Sequence, residues 1–329
     1  AVEEFEARLC EVTGARHAVA FANGTAALHG AAHAAGLGPG DTVHTSPLSF
    51  AASANCARYV GAQAAFVDID RATLNLDVSL VPADADALVA VHYAGLPVDL
   101  GQVQHRPRVV IEDAAHAIGA TTPDGPVGNC AHSDLCCFSF HPVKTITTAE
   151  GGAVTTNDAA LAERLRRFRH HGIVPDPDHG GWAYDIPEIG YNYRLTDVQC
   201  ALGTSQLAKL ERFVERRNHL AERYRHLLGG EPRIVLPPAA PDGWRHGYHL
   251  FAVQVPDRER IYDGLHAAGI RVQVHYVPTY RLGAYRDDWD PLRFPQTEAV
   301  YDGLLSLPLF PDLTDAEQDL VSETLLGLL

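Results

Sequence analysis

The chain has 329 residues, of which 46% are hydrophobic and 20% are charged, a composition that is typical of globular proteins and argues against disorder. Lys and Arg number 26 and Asp and Glu number 41, which gives a net charge of −15. Binding of duplex nucleic acid needs a basic face, so we expect no nucleic-acid partner. No apolar run approaches the roughly 18 residues that span a bilayer, so we expect no membrane partner.

The six cysteines form no CxxC pair, and Cys136 and Cys137 are adjacent, which is too tight for an ordinary disulfide. We therefore expect free thiols in a reducing cytoplasm. The N-terminal AVEEFEARLC is charged and amphipathic, unlike a signal peptide. The absence of any methionine predicts that the chain is cut at its N-terminus, unless methionines are missing from the sequence itself.

The first half of the chain alternates predicted helices with short apolar strands. Val2, Phe5, Leu9 and Val12 have helical spacing, and Ala-rich or amphipathic helices follow the first two strands. The predicted strands are HAVAFA, DTVHTS, AQAAFVDID, ALVAVHY, RVVIED, LCCFSF and GGAVTTN. Such continuous apolar strands are typical of sheets covered on both faces, so we predict an α/β fold with a mostly parallel sheet.

After Thr196, a plausible N-cap, apolar residues from Val198 to Leu227 predict one long helix. The Pro- and Gly-rich residues 229–243 resemble a linker. Beyond them we predict the strand HLFAVQV, the helix RERIYDGLHAAG, the strand RVQVHY and two further helices. We therefore expect a large domain at residues 1–228 and a smaller α+β domain at residues 229–329.

Lys144 lies in FSFHPVKTITTAEGG, directly after a predicted buried strand. Desolvation there would lower its pKa and make the amine nucleophilic, as in lysines that form Schiff bases with carbonyls such as that of pyridoxal phosphate. The alternative is an ordinary surface lysine in a loop.

Glu112 and Asp113 end the predicted strand RVVIED, and ligands bind at strand ends in open α/β sheets. Asp113 could hold the protonated ring nitrogen of pyridoxal phosphate, or it could only cap the following helix. His116 could face the same ligand or be a core histidine.

Asn23, Gly24, Thr25 and Ala26 join the first strand to its helix. Backbone N–H groups at a helix start favour a phosphate, and Gly24 permits close approach. Such a turn is also often a plain connection.

Together these segments resemble the DegT/StrS family of pyridoxal-phosphate-dependent nucleotide-sugar aminotransferases. The resemblance runs along the chain through FANGTAAL, TSPLSFAASAN, VHYAGLP, VIEDAAHAIGA, FSFHPVKTITTAEGG, GYNYRLTDVQCALG and VHYVPTY. It implies the fold of type I pyridoxal phosphate enzymes. It is strongest to members that aminate C4 of a UDP-4-keto-6-deoxy-N-acetylhexosamine. The family normally has a further segment before AVEEFE, which helps to line the substrate entrance.

The resemblance also implies roles for individual residues. Lys144 would be the Schiff-base lysine, and Asp113 would bind the pyridine nitrogen. The other implied cofactor contacts are Phe50 stacked on the ring, His116 near the ring hydroxyl, and Gly24, Thr25, Ala26 and Ser139 at the phosphate. Asn192 would reach the partner's phosphate in a homodimer with shared active sites. His275, Tyr276 and Tyr280 would meet the sugar nucleotide, although such aromatic residues are as often packing.

The activity implied is amino transfer from glutamate to the 4-keto group of a nucleotide sugar. An anionic substrate would need local arginines, with Arg194 and the helical run Arg164, Arg166, Arg167 and Arg169 as candidates. One alternative is a relative that acts on another keto sugar or a cyclitol. Another is a catalytically idle protein that serves as a regulator or partner subunit.

Overall fold

The computed structural model describes residues 1–329, which form nine α-helices, six short 3-10 helices and thirteen strands. The helices are α1 Val2–Thr13, α2 Gly24–Ala34, α3 Ala52–Tyr59, α4 Ala159–Arg169, α5 Asp197–Leu207, α6 Leu210–Leu228, α7 Arg258–Ala267, α8 Pro295–Gly303 and α9 Asp315–Leu328. The strands are β1 His17–Phe21, β2 Thr42–Thr45, β3 Gln63–Phe66, β4 Ala87–Val91, β5 Val109–Asp113, β6 Thr121–Thr122, β7 Gly125–Pro126, β8 Leu135–Ser139, β9 Gly152–Thr156, β10 Val174–Pro175, β11 Tyr184–Asp185, β12 Phe251–Gln254 and β13 Leu304–Leu307. None of the helices combines the length and the apolar character needed to cross a membrane.

Seven strands form one sheet in the order β1-β9-β8-β5-β4-β2-β3. β8, β5, β4, β2 and β3 pair in parallel, whereas β9 is antiparallel to both of its neighbours, β1 and β8. Six of the seven strands therefore run in the same direction. The prediction of an α/β fold with a mostly parallel sheet is confirmed.

The sheet is covered by helices on both faces, as its continuous apolar strands require. Successive side chains of β8 alternate between the two faces. Leu135 and Cys137 pack in the core that α2, α3 and α4 cover, whereas Cys136 and Phe138 pack in the core that α1 and α5 cover. The parallel strands are thereby held rigidly, with their carboxyl ends at one edge.

The prediction of one long helix after Thr196 was wrong, because α5 and α6 are separate helices. Val198 is 81% exposed, whereas Gly203 packs so close to Phe5 that an added Cβ would lie 2.5 Å from the Phe5 ring. The buried positions of both helices keep a spacing of three and four residues across the break: Cys200, Gly203, Leu207, Leu210, Val214 and Arg217. The hydrophobic pattern therefore gives no sign of the break between α5 and α6.

A second core lies in the C-terminal part of the chain. Strands β12 and β13 pair antiparallel, and Leu220, Tyr224 and Leu228 of α6 pack in the same core as Phe251. The division of the chain at residue 228 stays a prediction, and this packing shows that α6 contributes to the C-terminal core.

The predicted strand RVQVHY was wrong, because only an isolated bridge between Gln273 and Ser306 forms there. Conversely, β13 (LLSL) was not predicted as a strand. Both errors have the same cause. The pairing partner of β12 is chosen by tertiary packing, and local alternation of side chains does not reveal it.

Candidate active site

A cavity of about 880 Å³ opens at the carboxyl ends of β4, β5 and β8. Ligands bind at this edge in open α/β sheets. Nine of the sequence-predicted site residues line it: Gly24, Thr25, Ala26, Phe50, Asp113, His116, Ser139, Lys144 and Tyr276. The fold therefore brings together residues that are far apart in the sequence.

One end of the cavity is formed by the start of α2 and the end of β8. The Asn23 side chain caps α2 by accepting the Ala26 N–H at 2.8 Å. The N–H groups of Gly24 and Thr25 have no acceptor within the helix and add to its positive end. A Cβ added at Gly24 would lie 2.8 Å from the Cβ of Ser139, so only glycine permits this approach. We call this end, formed by Gly24, Thr25 and Ser139, the anion cradle.

Asp113 is buried at the end of β5, where its carboxylate is held by two hydrogen bonds. The Ala115 N–H donates to Oδ1 at 3.1 Å, and the Ser53 hydroxyl donates to Oδ2 at 2.6 Å. Glu112 precedes it but is bonded elsewhere, to His92 at 2.7 Å and to Ser133. Of the two predicted carboxylates, only Asp113 lines the cavity.

Lys144 lies in the loop between β8 and β9 and projects into the same cavity. Burial lowers the pKa of its amine from 10.5 to about 8, because the ammonium form loses water. The negative charge of Asp113 acts in the opposite direction and keeps the pKa from falling further. With this pKa, roughly a tenth of the Lys144 amines are neutral at pH 7, against fewer than about one in a thousand for an ordinary lysine, and the neutral amine is the nucleophile.

The wall beside Asp113 contains His116 and Tyr276. His116 Nε2 lies 3.1 Å from the Tyr276 hydroxyl, and the His249 ring packs against His116 at a centroid distance of 4.4 Å. Tyr93 donates a hydrogen bond to the carbonyl of His275 and thereby holds the segment that carries Tyr276. Burial lowers the pKa of His116 well below its ordinary value, so its ring is neutral. The wall can donate or accept hydrogen bonds without carrying charge.

Four predicted site residues do not line the cavity. The Tyr280 side chain is fully buried and donates to Glu298 at 2.7 Å, and His275 is bonded to Ser306 at 3.0 Å. Arg194 is exposed and contacts His170 at 2.7 Å, whereas Asn192 is exposed between Tyr191 and Tyr193, which do line the cavity. The predicted substrate contact of Tyr280 needs correction, because no surface of this side chain is available to a ligand.

The arginines of α4 do not line the cavity either. Arg169 pairs with Glu6 at 2.5 Å, and Arg164 donates to the carbonyl of His33 at 3.2 Å. Arg167 lies 3.5 Å from Glu188. These three arginines hold α4 to neighbouring elements, so they are structural in this chain.

Comparison with known proteins places the chain among enzymes with this architecture. The DegT/DnrJ/EryC1/StrS aminotransferase family matches residues 1–326. The chain belongs to this aminotransferase family. The predicted family, enzyme class and fold are therefore confirmed, and pyridoxal phosphate is the cofactor of this aminotransferase.

Individual relatives match the aminotransferase over its full length. The Campylobacter jejuni UDP-4-amino-4,6-dideoxy-N-acetyl-beta-L-altrosamine transaminase is 36% identical over 343 residues, which cover 100% of this chain and 89% of the relative. The Bacillus subtilis spore coat polysaccharide biosynthesis protein SpsC is 35% identical over 344 residues, or 98% and 88%. The PLP-form structure of Spr1654 from Streptococcus pneumoniae has a TM-score of 0.91 at 28% identity, covering 99% of this chain and 90% of that one.

The cavity of the aminotransferase fits pyridoxal phosphate in three respects. The anion cradle suits the phosphate, because a side chain at residue 24 would fill it. The Asp113 carboxylate suits the ring nitrogen, and the desolvated Lys144 amine suits the aldehyde. The residues were predicted from sequence, and the structure adds that all three features share one cavity.

We expect the pH dependence of cofactor capture to report the Lys144 amine. Only the neutral amine attacks an aldehyde, so the rate at which the unloaded protein combines with pyridoxal phosphate should rise with pH and level off above about pH 8. Between pH 6.5 and 9 the rise should be roughly thirtyfold for such a pKa. Stopped-flow absorbance measures the rate.

The Asp113→Asn variant is the control for this titration. The negative charge of Asp113 raises the Lys144 pKa. Its removal should therefore move the midpoint of the rate–pH curve to lower pH. A midpoint near 10.5 in the unmodified protein, the ordinary value of a lysine, would contradict the role of burial.

Sequence reasoning missed several residues that line the cavity. They are mainly polar or aromatic: His29, Ser53, Tyr59, His141, Glu150, Tyr191 and Tyr193. Tyr191 and Tyr193 flank the predicted Asn192, so their alternation around it was a signal that could have placed them on one side of the segment. Ser53 gave no comparable signal, because its contact with Asp113 is long-range.

Proposed function

We propose that the chain transfers an amino group from glutamate to the 4-keto group of a nucleotide-linked 4-keto-6-deoxy sugar of the UDP-N-acetylhexosamine type. The full-length 36% identity to a transaminase of a UDP-linked amino sugar carries this proposal. A cavity of about 880 Å³ agrees with it, because it is large enough for a cofactor and a sugar together.

Each part of the cavity has a proposed task in the reaction. When bound, pyridoxal phosphate supplies an aldehyde that takes up the amino group and a ring that delocalises the charge of a carbanion. Lys144 Nζ would accept a proton from the carbon of the amino donor and deliver it to the cofactor carbon that carried the aldehyde. It would act first as a general base and then as a general acid. Asp113 would place its negative charge against the ring nitrogen. Gly24, Thr25 and Ser139 hold the phosphate.

The aromatic lining supports a sugar nucleotide as the substrate. Phe50 is 61% exposed beside the cavity, and its ring centroid lies 6.0 Å from that of Tyr276. Tyr191 and Tyr193 stack at 4.9 Å on the same cavity. Exposed aromatic faces with hydroxyl groups suit ligands that have both apolar and polar surfaces. The predicted role of Phe50 as the ring-stacking residue stays a prediction.

A screen of keto sugar nucleotides with glutamate as donor tests the substrate. We expect amination of a UDP-4-keto-6-deoxy-N-acetylhexosamine with the highest kcat/KM of the panel. The panel includes a dTDP-linked 4-keto sugar, a 3-keto sugar and a keto cyclitol. A higher kcat/KM for one of these three alternatives would identify that compound as the substrate and would contradict the proposed one. An absorbance scan of the purified protein without a visible cofactor band would support the idle scaffold instead.

We further propose that the chain works as a homodimer with two shared active sites. The segment from Trp182 to Val198, which includes the cavity-lining Tyr191, carries exposed apolar side chains: Trp182, Tyr184, Ile186, Ile189, Tyr191 and Val198. Large exposed apolar patches mark protein contacts. Asn192 is exposed within this segment and absent from the cavity of its own chain, as a residue that serves a partner's cofactor would be.

Mixing inactive variants tests the shared site. In a heterodimer of Lys144→Ala and Asn192→Ala subunits, one site carries both changes and the other is intact if Asn192 serves the partner. Activity should then reappear, to half of the unmodified dimer per heterodimer. Steady-state rates of the mixture measure it, with subunit exchange followed by native mass spectrometry.

The matched control mixes Lys144→Ala with Asp113→Asn. Both of these residues line one cavity of one chain, so every site in this heterodimer keeps one change and mixing should restore nothing. Recovery in the control, or no recovery with Asn192→Ala after complete exchange, would reject the shared site.

We also propose a cytoplasmic location. All six cysteines are free thiols, and five of them are buried. Unpaired cysteines in this number suit a reducing compartment. Fractionation of cells that express the protein tests the location, and recovery in an extracellular fraction would contradict it.

A further inference from the structure

Ser53 is a buried residue in the first turn of α3, where it lines the cavity. Its side chain is 1% exposed and lies 60 residues before Asp113 in the sequence. The two residues meet because α3 follows β2, and β2 pairs with β4 beside β5. The contact is therefore fixed by the sheet and by the helix that covers it.

The Ser53 hydroxyl has one hydrogen and two acceptors within reach. It lies 2.6 Å from Asp113 Oδ2 and 3.2 Å from the carbonyl of Phe50. Hydrogen bonds to ionised groups are shorter and stronger than those to neutral ones, so the hydroxyl donates mainly to Asp113. No other side chain bonds the Asp113 carboxylate.

The two hydrogen bonds of Asp113 fix the orientation of its carboxylate. Oδ1 accepts from the Ala115 backbone, which belongs to the same strand end, and Oδ2 accepts from Ser53 on another element. Without Ser53 the carboxylate would keep only the local contact and could rotate.

We infer that Ser53 is a positioning residue that holds the Asp113 carboxylate in one orientation, so that the shared proton stays on the ring nitrogen of pyridoxal phosphate. This inference rests on the proposed role of Asp113. The proton has two possible sites, the ring nitrogen and the carboxylate oxygen. A carboxylate whose negative charge is held facing the nitrogen stabilises the proton there, and the protonated ring is a better acceptor of electrons.

NMR of the holoenzyme loaded with pyridoxal phosphate labelled with ¹⁵N in the ring tests this inference, because the nitrogen signal reports its protonation. In Ser53→Ala, the ratio of protonated to neutral ring nitrogen should fall by about tenfold, because the negative charge is no longer held against the nitrogen. The signal should therefore move towards that of neutral pyridine. Cofactor affinity, measured by titrating the unloaded protein, should weaken several-fold.

Three further variants separate the hydroxyl from packing. Ser53→Cys keeps the size with a weak donor and should shift the signal as Ser53→Ala does, and it also serves if the alanine variant fails to fold. Ser53→Thr keeps the hydroxyl and should give the same ring-nitrogen signal as the unmodified protein. Ser49→Ala is the matched control, because Ser49 is also buried but donates only to the carbonyls of Ser46 and Phe50.

An unchanged ring-nitrogen signal in Ser53→Ala and Ser53→Cys would overturn the inference. Asp113→Asn separates this failure from that of the underlying proposal. If Asp113→Asn moves the signal and the Ser53 variants do not, only the role of Ser53 is rejected. If Asp113→Asn also leaves the signal unchanged, the proposed role of Asp113 is rejected as well.

Discussion

Replacing Lys144 with alanine should abolish turnover, with kcat falling by at least about 10³-fold, because general acid–base and covalent contributions are lost together. No other residue of the cavity carries a primary amine, since the chain has only two lysines, Lys144 and Lys209. Steady-state kinetics measures the loss. Reduction of the unmodified holoenzyme with borohydride should fix the cofactor on the peptide that contains Lys144.

Lys209→Ala is the matched control for this prediction. Lys209 precedes α6 and lies outside the cavity, so its replacement should leave kcat unchanged. A cofactor label on the Lys209 peptide, or turnover by Lys144→Ala close to that of the unmodified enzyme, would contradict the assignment.

Asp113→Asn should preserve the fold and lower kcat by roughly 10²-fold or more, the scale of a lost electrostatic contribution in an active site. The amide has nearly the same shape, and its oxygen can still accept from Ser53 or Ala115. It carries no negative charge, so it cannot keep the ring nitrogen protonated. Rates are measured with saturating cofactor, and circular dichroism checks the fold.

The neighbouring carboxylate provides the control. Glu112 points to the other side of the strand, where it bonds His92 at 2.7 Å. Glu112→Gln should therefore lower the melting temperature by weakening a buried hydrogen-bond network, while kcat stays within a few-fold. Unchanged turnover in Asp113→Asn would reject the proposed role of Asp113.

The sheet and most of the candidate site could be predicted because their signals are local. Each strand of the main sheet is a short apolar run, and Asp113 and Lys144 stand at or just after the ends of such runs. In an α/β sheet the carboxyl ends of parallel strands share one edge. The positions of Asp113 and Lys144 relative to the strand ends were therefore enough to predict that the two residues lie in one site.

The remaining features depend on packing between distant segments. The break between α5 and α6 leaves the spacing of buried residues intact, so no local pattern marks it. The aromatic motif VHYVPTY contains both Tyr276, which lines the cavity, and Tyr280, which is buried against Phe294 with stacked rings 4.6 Å apart. Sequence identifies both as aromatic, but only the fold decides which one a ligand can reach.

The position of β9 has a consequence for how the chain matures. β1 has no neighbour in the sheet except β9, and Phe21 pairs with Gly152, far away in the sequence. The anion cradle lies directly beyond this pairing, where a Cβ at Gly152 would lie 2.4 Å from the carbonyl of Asn23. In a nascent chain that ends before β9, no strand joins β1 to β8, and long-range pairing of this kind is slow to form.

We therefore expect the cofactor to bind chains in which the sheet is complete. Binding that is restricted to the folded state stabilises it by mass action, by about 2.7 kcal/mol when the free ligand is at one hundred times its dissociation constant. A sufficient supply of the cofactor should therefore shift the folding equilibrium towards chains whose sheet is complete. Chains loaded with the cofactor should accordingly be cleaved more slowly by a protease than unloaded chains.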